Sequence, residues 1–179
     1  MGYEVAVLRI AYTAYVVWLL AGLADFVCHR RSNLPLTSGL RESRFHLGQV
    51  GLIGSGAVLW LALEPGWHVF WLCALLTCVH AVIGYLDTKS AYGLRPITPI
   101  EQHLHSVLDI APWIGLALMA WLIASDDWMP AVGLRLRSEP LAGTTWFAIL
   151  APAVLLVGVP VLAELGACSR AAKVSMKAP

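Results

Sequence analysis

The chain has 179 residues, 59% hydrophobic and only 13% charged, with a formal net charge of +1. A soluble domain carries about 25% charged residues, so the composition excludes an ordinary water-soluble protein, and near-neutrality without a basic tract excludes a nucleic-acid partner. What fits is an all-α polytopic membrane helix bundle, one integral-membrane unit over residues 1–179 with the lipid bilayer as its solvent.

Five segments are long and apolar enough to cross about 30 Å of hydrocarbon, at residues 5–28, 45–63, 67–86, 103–124 and 144–167. Span 1 has no basic leader and no small-residue cleavage motif, so no removable signal peptide is expected. Between spans 1 and 2 runs the polar stretch DFVCHRRSNLPLTSGLRESRFH, from Asp25 to His46. Span 2 contains GQVGLIGSGA, whose glycines at 48, 51, 54 and 56 predict close approach of neighbouring helices. The Glu64-Pro65-Gly66 connection predicts a tight hairpin between spans 2 and 3. Thr98-Pro99-Ile100-Glu101 predicts a helix start with a capping box, and Thr37-Ser38-Gly39 before Glu42 is a weaker version. The outer loop between spans 4 and 5, SDDWMPAVGLRLRSEPLAG, is long enough to fold over the outer surface. Span 5 carries Pro152 and Pro160, which predict kinks, and one acid, Glu164. The four cysteines (28, 73, 78 and 168) lack metal-site spacing and read as free, buried thiols.

Orientation follows from the cations. Arg30, Arg31, Arg41, Arg44, Lys89, Arg95, Arg170, Lys173 and Lys177 fall on one side, and only Arg9, Arg135 and Arg137 on the other. The positive-inside rule then places the N-terminus outside and the C-terminus in the cytoplasm. Trp60, Trp67, Trp71, Trp121, Trp128 and Trp146 map to the opposite, outer interface, where an aromatic belt belongs.

The acids and histidines are not scattered. Asp25 with His29, Glu42 with His46, and Glu101 with His105 are each four residues apart, on one helix face. His80 and Asp87 lie two turns apart on one face, with Gly84 leaving space between them. Each of spans 1 to 4 therefore offers a carboxylate and an imidazole at its cytoplasmic end. Ionisable groups in a membrane are costly and face the bundle interior. Four facing carboxylates would repel unless cations lay between them, and two divalent ions would balance the charge. Asp109, one turn beyond His105, fits as a further ligand or as a group orienting His105. The set Asp25, His29, Glu42, His46, His80, Asp87, Glu101, His105 and Asp109 is thus the candidate metal site, in a four-helix core formed by spans 1 to 4. His103 faces away from it, and His68 lies at the outer interface. Arg30, Arg31, Arg44 and Arg95 read as topology determinants. ESRFH and EQHLH, each opening the second helix of a hairpin whose first helix ends near an Asp, form a faint internal repeat.

In architecture and ligand type this resembles the carboxylate-bridged dimetal sites of four-helix bundles. It departs from them in its Glu-x-x-x-His spacing and in having one imidazole per helix. The resemblance implies two divalent transition-metal ions, iron first, with zinc or manganese as alternatives. It also implies an oxidoreductase (hydroxylase, desaturase or oxidase) acting on a lipid or quinone-like molecule in the cell's inner membrane, with electrons from a separate donor. Competing expectations are a zinc-dependent membrane hydrolase, a b-haem electron carrier, a metal or proton transporter, and a structural membrane subunit.

Overall fold

The structure, a computed structural model, describes residues 2–125 and 132–176; Asp126, Asp127, Trp128 and Lys177 lie outside them. Each of the first four apolar runs forms one helix: α1 (Gly2–Arg31), α2 (Gly39–Ala62), α3 (Trp67–Ala91) and α4 (Pro99–Ala124). The last run forms α5 (Gly143–Ala153), a π-helical turn (Val154–Gly158) and α6 (Val159–Ser175) in unbroken succession. All five spans are long and apolar enough to cross a membrane. Among the described residues there is no strand, only an isolated antiparallel bridge between Leu63 and Leu136.

Helices α1 to α4 outrun their apolar segments at the end that carries the acid–histidine pairs. Hydropathy drops at the first charge, but Asp25, Glu42, Asp87 and Glu101 are buried, so each helix continues through residues that face inward. At the start of α4 the Thr98 hydroxyl accepts the Glu101 N–H at 3.3 Å, and Pro99 occupies the first turn. The capping box is only half realised, because the Glu101 carboxylate turns to Arg95 instead. At the start of α2 Ser38 makes no side-chain cap. Gly39 there adopts φ 62°, a left-handed conformation that suits glycine.

Between the two span-5 prolines the helix widens into the π-helical turn. Pro152 has no N–H to offer the carbonyl four residues earlier. That carbonyl, on Ala148, accepts the Tyr12 hydroxyl at 3.1 Å instead, and the neighbouring Ile149 carbonyl accepts Tyr15 at 2.5 Å. Both donors come from α1, so the freed backbone is satisfied within the protein, as hydrocarbon surroundings require.

The helices close into a ring in which spans 1 to 4, the expected four-helix core, are joined by span 5. Helix α2 packs on α3, α3 on α4, and α4 on α1. The remaining gap, between α1 and α2, is filled by α6 and by a short 3-10 turn at Leu34–Leu36. At the far end of span 5, α5 and the π-helical turn lean on α1. The fifth span is therefore a wall of the polar end, which makes Glu164 an inward-facing acid.

At the opposite end, residues 132–138 fold over the α2–α3 hairpin, as expected for the loop between spans 4 and 5. Glu64 N donates to Arg135 O at 2.8 Å and Arg137 N to Ala62 O at 3.0 Å. The Arg137 guanidinium donates to the carbonyls of Leu61 (2.9 Å) and Trp60 (3.0 Å) at the end of α2. His68, although exposed, accepts the Gly133 N–H at 3.1 Å. Beneath this flap Val69, Cys73 and Leu116 form a small apolar core. Trp67, Trp71 and Trp121 are exposed at this level.

Two other expectations hold only in part. Gly48 and Gly56 do approach neighbours, Ile83 and Leu76, but Gly51 and Gly54 face open space. All four cysteines are free, yet only Cys73 and Cys168 are buried, and Cys78 is exposed.

Candidate metal centre

The helix ends bring most of the candidate residues together, and the fifth span completes the arrangement. The Glu164 carboxylate bridges two imidazoles: Oε2 lies 2.9 Å from His29 Nδ1, and Oε1 lies 2.6 Å from His46 Nδ1. The two rings stack with centroids 4.4 Å apart and planes 8° from parallel. Phe26 meets both edge-on. A carboxylate only accepts, so each Nδ1 carries the hydrogen and each Nε2 points the other way.

The other side is crowded with carboxylates. His29 Nε2 lies 3.3 Å from Asp25 Oδ2 and 3.7 Å from Glu101 Oε1. His46 Nε2 lies 3.1 Å from Asp87 Oδ2 and 3.8 Å from Glu42 Oε1. Neither Nε2 has a hydrogen-bond partner, and the same is true of Asp25 Oδ1, Asp87 Oδ1 and both Glu101 oxygens. All of these atoms are buried, in surroundings where an unmatched polar atom is costly.

Arg95, from the α3–α4 connection, has a structural position that its sequence reading as a topology determinant missed. It is buried and grips Glu42 through Nε (3.0 Å) and Nη2 (2.5 Å). Its Nη1 approaches Glu101 Oε1 at 2.6 Å, off the line of a directed hydrogen bond, and donates to Ser32 Oγ at 3.3 Å. Burial alone would ease its proton off, but Glu42 and then Glu101 hold the guanidinium pKa above its ordinary value. One side chain thus ties α2, α4 and the end of α1 together.

The faint repeat in the sequence becomes a crosswise pairing. Asp25, on the first hairpin, meets His105 of the second at 3.2 Å. Asp87, on the second, meets His46 of the first. The two repeat glutamates share Arg95. Two half-sites result. Asp25, His29, Glu101 and His105 offer ligand atoms within 4.8 Å of one another, and so do His29, Glu42 and His46, with Asp87 beside His46. His80 and Asp109 are not in either group. His80 is buried in the wall of an adjoining cavity, and Asp109, also lining it, lies near Gly84 on α3. Asp109 neither touches His105 nor joins the cluster, and His103 is exposed, as expected from its helical phase.

That cavity, of about 170 Å³, runs from the cluster toward the middle of the bundle. Asp25, His46, Asp87 and His105 form its polar floor, and Trp18, Leu19, Val50, Ile53, Leu108 and Val157 line its apolar walls. Glu42, Glu101 and Arg95 do not reach it and lie behind the floor. Glu164, read in the sequence only as the lone acid of span 5, is the cluster member that the candidate set lacked. Its signal was available: a lone acid one turn after Pro160 in an otherwise apolar span, which is a costly placement without a partner. No protein-family model matches this chain, and no curated protein and no solved structure matches it.

Proposed function

We propose that the chain is an integral-membrane metalloprotein with a carboxylate/histidine dimetal site, acting as an oxidoreductase on a lipid or quinone-like substrate. One observation carries the metal reading: two imidazoles are fixed through Nδ1 on Glu164 while their unpartnered Nε2 atoms face carboxylate oxygens 3.1 to 3.8 Å away. A lone pair facing carboxylates requires a cation between them, either a proton on each ring or a metal ion. Two imidazolium rings stacked 4.4 Å apart would repel. The charge balance favours metal as well. Asp25, Glu42, Asp87, Glu101 and Glu164 are buried together with one guanidinium, Arg95, leaving four negative charges that two divalent ions would neutralise. The Nε2–carboxylate separations of 3.1 to 3.8 Å also suit ligands sharing one ion, since metal bonds of about 2.0–2.2 Å set ligand atoms roughly 3 Å or slightly more apart.

Asp25, His29, Glu101 and His105 would hold one ion, and Glu42, His46 and Asp87 the other, with Glu164 as the outer carboxylate that fixes the ring tautomers. Mixed oxygen and nitrogen donors suit iron, with manganese or zinc as alternatives. Bound iron would supply oxidation of an unactivated carbon with O2 as oxidant, and a separate donor would supply electrons. The residues of this chain position the ions, shield them behind Arg95, and present an apolar chamber. The excess of arginine and lysine at this end supports a cytoplasmic-facing site in the inner membrane. The chamber favours oxidation over the zinc-hydrolase alternative, because its walls offer an apolar chain, not a polar ester, to the cluster.

Metal analysis of protein purified from its membrane tests the reading. Close to two transition-metal ions per chain are expected, together with a sharp fall in Glu42→Gln and Glu101→Gln. Full metal retention in both variants, or a preparation that stays metal-free after incubation with iron, zinc and manganese, would overturn it. An intense haem band would replace it with the electron-carrier reading.

A further inference from the structure

The apolar chamber and the way span 5 leans define what reaches the site. The polar end is closed over the cluster by Arg95, which is buried and joined to Glu42, Glu101 and Ser32. The other end of the bundle is covered by the outer flap, tied down at Glu64 and Arg137. The side is different. Helix α2 packs along α6, whereas α5 and the π-helical turn lean on α1 and make no comparable contact with α2. The residues flanking that parting, Gly54 and Ala57 on α2 and Ala153 and Val157 on span 5, all line the chamber. Gly54 is exposed, and a Cβ added to it would meet nothing within 4 Å.

We infer that the chamber admits the hydrocarbon chain of a single membrane lipid sideways, between α2 and the outer half of span 5, and presents a carbon far from the headgroup to the cluster. The depth of the opening selects the occupant. Tyr15 on α1, Gly54 on α2 and Val157 on span 5 sit within about four residues of the middles of helices that cross the bilayer, and the floor lies about ten residues along α1 from Tyr15, at Asp25. At that depth a lipid offers chain methylenes, not its glycerol or phosphate. The chamber's size agrees, since about 170 Å³ is close to the roughly 150 Å³ of an apolar cavity that takes one benzene. It accepts one chain segment or one isoprenoid unit and excludes a fused-ring lipid. The inference rests on the dimetal reading for its chemistry, but not for the binding itself.

Photolabelling of the full chain in lipid vesicles tests it. Two isomers of a straight-chain fatty acid are used, one bearing a diazirine at mid-chain and one beside the carboxylate, and labelled peptides are mapped by mass spectrometry. The mid-chain isomer is expected to label residues 50–57 and 153–157, and the carboxylate-proximal isomer is not. Gly54→Leu should cut that labelling about tenfold, and Ala57→Leu should repeat the effect if the first variant fails to fold. Gly51→Leu, where an added side chain also meets open space but away from the chamber, should leave labelling unchanged. Equal labelling by both isomers, no labelling of these segments, or equal effects of the Gly51 and Gly54 variants would overturn the inference. Metal content is measured on the same samples. Metal-free protein that still labels in this pattern removes the dimetal reading and leaves the lipid chamber standing.

Discussion

Each end of the bundle is tied by an arginine, and the two arginines work in opposite ways. Arg137 reaches over the α2–α3 hairpin and donates to the backbone carbonyls of Trp60 and Leu61, which any sequence would present at that helix end. Arg95 is sealed among carboxylates that only this sequence supplies. The end capped by residues 132–138 is held by backbone pairing and a small apolar core, so little there depends on a particular polar side chain. The polar end gathers five buried acids and three imidazoles from five spans, with ring nitrogens and carboxylate oxygens left without hydrogen-bond partners. Stability at one end comes from the fold, and at the other end the fold is made to carry an unfavourable charge cluster.

The largest expected break in this contrast is Arg95→Met. Removing one partner of a buried ion pair costs about 3–5 kcal/mol, because Glu42 and Glu101 are left facing each other. Unfolding in detergent should show it, and divalent metal should restore part of the loss. The matching change at the other end of the bundle, Arg137→Met, should cost less and be indifferent to metal.

Next is Glu164→Gln. The amide keeps one acceptor and turns the other position into a donor, so one of His29 and His46 must present its Nδ1 lone pair and carry its proton on Nε2. That ring is lost as a ligand, and metal affinity should fall about 10–100-fold, with helix content unchanged by circular dichroism. Unaltered metal binding would show that Glu164 only neutralises protonated rings.

Tyr12→Phe is smaller. It leaves the Ala148 carbonyl, freed by Pro152, without its donor; hydrogen bonds between membrane helices average about 0.6 kcal/mol. Faster hydrogen exchange near 148–153 is the readout, with the polar end unaffected.

The smallest effect concerns pH at the end capped by residues 132–138. Ser138 donates to Glu64 through both N and Oγ at 2.7 Å, which lowers the carboxyl pKa. A lowered folded-state value means the stabilisation is present above the ordinary glutamate range and is lost as pH falls through the folded value. Proteolysis of the 132–138 flap should therefore rise on acidification, and Glu64→Gln should remove that dependence.

The five spans, their order and the inward turn of the acid–histidine faces were legible because hydropathy and helical phase are local properties. Asp25 with His29 and Glu42 with His46 meet as their spacing requires. What could not be read was which helix neighbours which. The wedge of α6 between α1 and α2 depends on the packing of span 5, and with it went the role of Glu164. Arg95 was missed for a related reason: in a loop between spans a cation serves topology and ion pairing alike, and only the fold brings Glu42 and Glu101 to either side of it. His80 and Asp87 share a face, but α2 and α4 compete for them. Asp87 is taken by His46 and Gln49, and His80 is left to the chamber wall.

The place of Glu164 in the last span also orders the making of the protein. Spans enter the bilayer from the N-terminal side, so Asp25, His29, Glu42, His46, Asp87, Glu101 and His105 are all inserted before the carboxylate that fixes two of the rings has left the ribosome. Until α6 docks between α1 and α2, the two imidazoles have no common anchor and the ring of helices stays open on that side. On the metal reading proposed above, the docking of α6 would be the step that completes the centre, and metal offered earlier would meet only part of its ligand set.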